Sequence, residues 1–360
     1  MEKGFRKTAI GLMSGTSLDG LDICYAEFKF DDKWGFQIKD SECIEYSADW
    51  KEKLGSAHEM SETELKQLDL EFGQFIGNHS KRFLAEINLP NPDLICSHGH
   101  TVLHEPDKGI TLQIGDGQEV ANITGITCIS DFRSLDVSLG GQGAPLVPIG
   151  DRLLFSEYDA CLNLGGFSNI SFEHDGERVA FDICPINIVL NELAARLGKQ
   201  FDEEGQLAQS GNLNEELLDG LNNLELYSGE TRHSLAREWV ESSVNPILKA
   251  SGLPVADLMR TFVEHVTIQI ARVIEQNLTD GRVLVTGGGT YNSFLMERLR
   301  YYSLADLVIP DNQTIDYKEA LIFAFLGVLR DQGQINVLRS VTGAKRDSSS
   351  GVVHHPFIEG

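Results

Sequence analysis

An apolar run over 8–13, a Gly/Ser/Thr-rich break at Ser14–Gly20 and a second apolar run over 21–28 predict a β-hairpin at the start of the chain. A polar stretch follows to Met60. Ser61-Glu-Thr-Glu64 then reads as a capping box. Behind it Leu65, Leu68, Phe72, Phe75, Ile76, Phe83 and Ile87 recur at three- and four-residue steps, the period of an amphipathic helix. Pro90 and Pro92 end that helix. Asp93–Ser97 reads as a short strand running into His98-Gly-His100-Thr101, and 111–116 and 126–130 are further strand candidates that stop at polar residues. The stretch 139–148 is dense in glycine and proline, which marks loop and a place for the chain to change domain.

Strand, Gly/Ser/Asn tip and strand recur over Asp159–Phe172, echoing the first hairpin in pattern rather than in residues. Two similar halves explain that echo. The next strand, 178–182, ends on an acid, and Pro185 is expected to start a helix that carries Ile188, Leu190, Leu193, Ala194 and Leu197 and stops at Gly198. Helices are predicted near 255–278, 292–299 and 318–329, with a buried strand at Arg282–Thr286 between the first two. The small polar tail Ser348–Gly351 reads as mobile. Alternating strands and helices, with hairpins that must be antiparallel, predict an α/β protein of two domains with mixed sheets.

Composition narrows the partners. The chain has 360 residues, more than one ordinary core needs. Its 54 acidic and 30 basic residues leave a net charge of -24, which repels nucleic acid and anionic membranes. A nucleotide could still bind through local N–H groups and Mg²⁺. Cys24, Cys43, Cys96, Cys128, Cys161 and Cys184 are scattered without a Cys-x-x-Cys pair, which fits free thiols in a reducing cytoplasm. No apolar run suits a signal peptide or a membrane span, and neither is expected.

Three glycine-rich turns follow strands: Ser14–Gly20, Asn163–Asn169 and Gly287–Gly289. Such turns can present backbone N–H groups to a phosphate chain, and Asp19 could hold a hydrated Mg²⁺ beside it. An ordinary hairpin would need the same residues for its turn. Other phosphate and nucleophile signatures are missing. There is no Gly-x-x-x-x-Gly-Lys-Ser/Thr, Gly141-Gln-Gly143 lacks a third glycine before Pro145, and no Gly-x-Ser-x-Gly elbow occurs. Phosphoryl transfer to a hydroxyl needs a base, and Asp182 at a strand end is the best-placed acid. It could equally complement a helix dipole. His98 and His100, with His104 nearby, suit substrate binding better than metal, for want of an acid at helical spacing. Arg133 could grip an anionic substrate group or pair with Asp131. Glu319 could face the site or solvent.

Met13-Ser-Gly-Thr-Ser-Leu-Asp-Gly-Leu-Asp22 resembles the signature of the anhydro-N-acetylmuramic acid kinases. The resemblance continues through Ser97-His-Gly-His-Thr101, Leu112-Gln-Ile-Gly-Asp116, Asp131-Phe-Arg133, Gly140–Pro148, Leu162-Asn-Leu-Gly-Gly166, Phe181-Asp182, Ser234–Glu238, Thr286-Gly-Gly-Gly289, Lys318-Glu-Ala320 and Ser340–Ala344. It implies the two-domain fold of the sugar kinase, actin and Hsp70 group, with lobes at 1–140, joined by 341–360, and at 141–340, and with ATP and sugar in the cleft between.

It also implies a reaction. Water opens the 1,6-anhydro ring of anhydro-N-acetylmuramic acid and ATP phosphorylates O6, a step of cell-wall recycling. By motif, Gly15, Thr16, Ser17, Leu18, Asp19, Gly20, Leu21 and Asp22 would hold the ATP phosphates, with Asp19 near Mg²⁺. Asn163, Gly165, Gly166, Gly287, Gly288 and Gly289 would complete the nucleotide site. Asp182 would activate water and hand its proton to O6. His98, His100, Thr101, Arg133 and Glu319 would orient the sugar. The resemblance suggests a homodimer.

One segment departs from the family pattern: Ile183-Cys-Pro-Ile-Asn187 stands where Thr-Gly-Pro-Gly-Asn is commoner. That leaves open a kinase of another amino or anhydro sugar. An actin- or Hsp70-type ATPase without a sugar substrate is the reading from another class.

Overall fold

A computed structural model describes residues 2–228, 235–278 and 281–357. Its strands are β1 (Phe5–Ser14), β2 (Gly20–Phe30), β3 (Trp34–Glu45), β4 (Leu94–Glu105), β5 (Ile110–Ile114) and β6 (Cys128–Ser130), then β7 (Ala160–Leu164), β8 (Phe167–His174), β9 (Glu177–Pro185), β10 (Arg282–Thr286), β11 (Asp306–Val308) and β12 (Val352–His354). The chain divides into two compact units, residues 1–154 with 317–360, and residues 155–316. The division falls after the helix Pro148–Leu154 and inside the helix Asn312–Asp331, rather than at 140/141 and 340/341.

In the first unit the strands run in the order β12-β6-β4-β1-β2-β3, with β5 on β4. β1–β2 and β2–β3 are antiparallel, whereas β1–β4 and β4–β6 are parallel. In the second unit the order is β11-β10-β7-β8-β9, again with two antiparallel pairs, β7–β8 and β8–β9, and two parallel ones, β7–β10 and β10–β11. The order β6-β4-β1-β2-β3 of the first sheet therefore repeats, strand for strand, as β11-β10-β7-β8-β9 in the second, and the echo between the two hairpins is a duplicated α/β core.

Burial follows the sequence pattern. Ser61 and Glu64 form the capping box of the helix Glu62–Glu86, each side chain accepting the other's backbone N–H. That helix turns Leu68, Phe72, Ile76 and Phe83 onto one face of the first sheet, against Ile10, Leu12, Ile23 and Tyr25. The opposite face carries Phe28, whose ring lies 5.4 Å from that of Phe325 in the last long helix, Asn312–Asp331. In the second unit the helix Val255–Asn277 buries Phe262, Val266, Ile270 and Ile274 in a core shared with Leu162, Phe172 and Val285.

Two local expectations are corrected. Pro185 ends β9 instead of opening a helix, and the helix there is Asn187–Ala195. The Ser348–Gly351 tail is tied down: Ser348 bonds to Val337 in both directions, and Ser350 is fully buried with its N–H on Asn336 Oδ1 at 2.7 Å. It leads into β12, which adds an antiparallel strand to β6. All six cysteines are free. Among the described residues no helix is long and apolar enough to cross a membrane.

Candidate functional site

Parallel strands deliver their C-terminal ends to one edge of a sheet, where loops can gather functional groups. In the first unit β1, β4 and β6 bring three expected segments there: the hairpin tip 15–19, His98–Thr101 and Asp131–Arg133. The tip is closed by the Leu18 N–H donating to the Gly15 carbonyl at 3.3 Å. Thr16, Ser17 and Asp19 are exposed, while Gly20 and Leu21 are buried at the start of β2. Leu21 is therefore a core residue, paired with Ser14 across the ladder. Cys43 on β3 faces Asp22. Its thiol is pushed up to about 12 by burial, by a hydrogen bond with Asp22 and by the charges of Asp22, Asp19 and Glu45. Acidic charge is thus concentrated beside the tip, as a hydrated divalent cation would require.

His98 and His100 are two residues apart on β4, yet they face opposite sides of the sheet. Gly99 between them has φ +72, and a Cβ there would meet the Ile114 carbonyl at 2.4 Å, so only glycine permits the twist. The His98 ring lies 4.7 Å from Phe323 in the last long helix, whereas the His100 ring lies edge-on to Phe72 in the helix Glu62–Glu86. His98 donates from Nδ1 to the Gly99 carbonyl at 2.9 Å, which leaves Nε2 as an acceptor for Arg133 Nε at 3.1 Å and Nη2 at 2.9 Å. Arg133 Nη1 donates to the Gly143 carbonyl at 2.6 Å. Burial, then the Arg133 charge, hold His98 well below the usual histidine range, so it is neutral.

Burial lowers Arg133 to about 10, and the Glu319 carboxylate opposes that shift. The guanidinium therefore stays charged at neutral pH, with its orientation set by His98 and Gly143. Arg133 bonds to His98 and to the Gly143 carbonyl, while Asp131 accepts the Ser134 N–H at 3.1 Å. Glu319 is exposed, with the charges of Arg133 and Lys318 both acting on its carboxyl. Its neighbour Lys318 pairs with buried Asp151 at 2.8 Å. His104 lies further along β4, bonded to Thr111 Oγ1 at 3.1 Å, and Thr101 sits near Gln113 at 3.4 Å.

In the second unit the same end of the sheet collects the other candidates. Register pairs Thr286 with Asn163, Asn163 with Asn169 and Asn169 with Asp182, one polar row across four strands. A bulge at Ile183 shifts the β8–β9 register beside that row. Asp182 is half-buried within β9 and accepts the Leu235 N–H at 2.8 Å. Desolvation raises its carboxyl, and the Leu235 bond only partly offsets that. Gly287, at φ +87, leans on the same row: a Cβ there would meet Asn163 Oδ1 at 2.4 Å and the Leu164 backbone at 2.9 Å. Gly166 and Gly288 form the open tips, Gly165 is half-buried beside Asn163, and Gly289 is buried against Leu164. Ser234 of the Ser234–Glu238 segment lies outside the described residues. Among those described, no three His, Cys, Asp or Glu side chains converge as a ready-made metal site.

The sequence profile of the anhydro-N-acetylmuramic acid kinases matches residues 7–356. The chain is similar to the anhydro-N-acetylmuramic acid kinase of Haemophilus influenzae, with 36% identity covering 96% of this chain and 97% of that one. It is likewise similar to the enzymes of that name from Aliivibrio fischeri (34%, covering 96% and 98%) and Vibrio cholerae (33%, covering 98% and 99%). The chain belongs to the anhydro-N-acetylmuramic acid kinase family. Among solved structures it is similar to a ROK family glucokinase from Streptomyces griseus in complex with glucose and AMPPNP, at 12% identity and a TM-score of 0.41 over 89% of this chain and 98% of that one.

Within this family frame, the Ile183–Asn187 departure has a structural reading. Ile183, Cys184 and Ile186 are buried in the core of the second unit. The backbone N–H of Cys184 donates to Ser168 Oγ at 3.2 Å, and that of Ile186 to the Gly166 carbonyl at 2.8 Å. Asn187 Nδ2 grips the Gly165 carbonyl at 2.8 Å. The segment clamps the 165–166 tip through its own amides, and Cys184 and Ile186 fill space that glycines leave empty. Sequence reading did not single out Tyr46, and gave Ser14 and Asn169 only as ends of glycine-rich turns, not as neighbours of His100 and Asp182. Strand pairing was the missing information, because none of the three stands out by type.

Proposed function

We propose that this chain is an ATP-dependent kinase that opens the 1,6-anhydro ring of anhydro-N-acetylmuramic acid with water and phosphorylates O6, giving N-acetylmuramic acid 6-phosphate for cell-wall recycling. The family match over residues 7–356 carries this reading. It favours neither a kinase of another amino sugar nor a non-sugar ATPase.

Asp182 is the proposed base. Its desolvated carboxylate takes a proton from water as the new O–C1 bond forms, and returns it to O6 as the C1–O6 bond breaks. O6 attacks the γ-phosphorus, its proton passes back to Asp182, and ADP leaves. Arg133, aimed by His98, meets the lactyl carboxylate with its remaining N–H donors, and Glu319 beside it orients sugar hydroxyls. The hairpin tip 15–19 holds the ATP phosphates, with the 165–166 and 287–289 turns on the nucleotide. Mg²⁺ fits beside Asp19 and Asp22, where carboxylates already crowd Cys43; bound there it would neutralise phosphate charge. We also propose a homodimer, tested by sedimentation velocity, and a cytoplasmic location, which the free cysteines support.

The decisive assay supplies Mg-ATP and anhydro-N-acetylmuramic acid in ¹⁸O-labelled water and weighs the products. Sugar phosphate carrying the label at C1, with none in the phosphate, is the expected outcome; no turnover overturns the reading. The pH profile adds a second check. A base must be ionised, so activity is present above the Asp182 pKa and lost as pH falls through it. Desolvation raises that pKa, so the acid limb of kcat/KM should lie above that of an ordinary aspartate. Full activity persisting to about pH 4 would exclude Asp182 as the base.

A further inference from the structure

Tyr46 and Ser14 form a hydroxyl chain that ends on His100. Tyr46, just past β3, donates its phenolic O–H to Ser14 Oγ at 2.7 Å, and Ser14 Oγ lies 2.9 Å from His100 Nδ1. Each hydroxyl has a single proton to give. The Tyr46 proton takes one lone pair of Ser14 Oγ and leaves the Ser14 proton free to point at His100, the arrangement in which Nδ1 accepts and Nε2 carries the N–H. Packing holds the geometry: Tyr46 lies against Phe72 and Phe75 at 6.2 and 5.8 Å between ring centres, and Ser14 and His100 face each other in the β1–β4 register. All three residues are buried. Burial pushes His100 down to about 4, so the ring is neutral and has one tautomer to choose.

Among the described residues the one hydrogen bond of the His100 ring is at Nδ1, which leaves Nε2 open to a ligand. Ser14 is the last residue of β1, and the next residue opens the hairpin tip. His98 on the opposite face has a different task, since its Nε2 accepts from Arg133. The two histidines thus present opposite hydrogen-bonding characters, an acceptor that aims the sugar-binding arginine and a donor beside the phosphate tip.

We propose that Tyr46 and Ser14 are positioning residues that lock His100 as the Nε2–H tautomer, and that this N–H donates to a terminal phosphoryl oxygen of ATP held at the hairpin tip. The inference rests on the kinase reading for its ligand. A neutral donor suits phosphoryl transfer, because it stabilises charge on the oxygen without giving up its proton.

The test uses Tyr46→Phe, which keeps the aromatic packing and removes the first proton of the chain. Two-bond ¹H–¹⁵N spectra of histidine-labelled protein, with His100 assigned by its loss in His100→Gln, read the tautomer directly. The expected result is Nε2–H in the parent, a mixture containing Nδ1–H in Tyr46→Phe, and about tenfold weaker binding of a non-hydrolysable ATP analogue. An unchanged tautomer in Tyr46→Phe would overturn the proposal, and so would an altered tautomer with analogue affinity within about twofold of the parent. Should Tyr46→Phe not fold, Ser14→Ala removes the direct partner and takes the same readouts. A sugar KM that moves while analogue affinity does not would also overturn it. None of the tautomer or analogue measurements needs the sugar. A parent that fails the sugar assay but passes these would refute the substrate assignment and leave this inference standing.

Discussion

Asp182→Asn is expected to lower kcat for anhydro-N-acetylmuramic acid by about 10²- to 10⁴-fold while ATP binding persists. The substitution is close to isosteric. An asparagine oxygen can still accept the Leu235 N–H that now holds the carboxylate, so the strand and its bulge should remain as they are. What disappears is the ability to take a proton from water. Thr286, Asn163 and Asn169 complete the row to Asp182 but carry no ionisable group, so none of them can substitute as base. Initial rates and calorimetric titration with an ATP analogue separate the two effects. Near-normal turnover would remove Asp182 from the mechanism, and lost ATP binding would show that its role is structural.

Gly11→Val should destabilise the first unit by about 3 kcal/mol, the upper end of ordinary overpacking. A Cβ at Gly11 would lie 1.7 Å from the Ala320 carbonyl oxygen and 2.8 Å from the Ala324 N, both backbone atoms of the last long helix. Backbone cannot rotate away as a side-chain tip can, so the helix or β1 must shift. The helix carries Lys318 and Glu319, and β1 leads into the hairpin tip proposed to hold the ATP phosphates, so activity should fall with stability. For a unit of this size that loss corresponds to a fall in Tm of roughly 10 °C. Gly220→Ala is the contrasting case. Gly220 lies in the helix Glu215–Asn222 with its nearest outside atom, Ile247 Cγ2, at 3.8 Å. Alanine there should raise stability by up to about 1 kcal/mol. Equal melting temperatures for Gly11→Val and the parent would mean that helix and strand are less closely packed than described.

Much of the fold was readable because period and punctuation agree along the chain. Ser61 and Glu64 mark a helix start by local chemistry alone, and the heptad-like spacing from Leu65 to Phe83 can bury one face only as a helix. The two hairpins were legible for the same local reason. Pro185 misled because proline suits a first helical turn, yet tertiary pairing of β9 with β8 extends the strand through it. The tail misled for a related reason. Small polar residues look unstructured until Asn336 and Val337 supply their partners across the fold.

The sequence by itself determined the alternation of elements, the duplicated hairpin and the motifs that define the family, since each depends on residue types at short spacing. Only tertiary structure decided which of those residues meet. Gly99 turns His98 toward Arg133 and His100 toward Ser14 and Tyr46. The β7–β10 register carries Asn163 to Gly287, and a bulge at Ile183 sets Asp182 opposite Asn169. Those contacts depend on strand order and register between segments far apart in the chain, which no local pattern encodes.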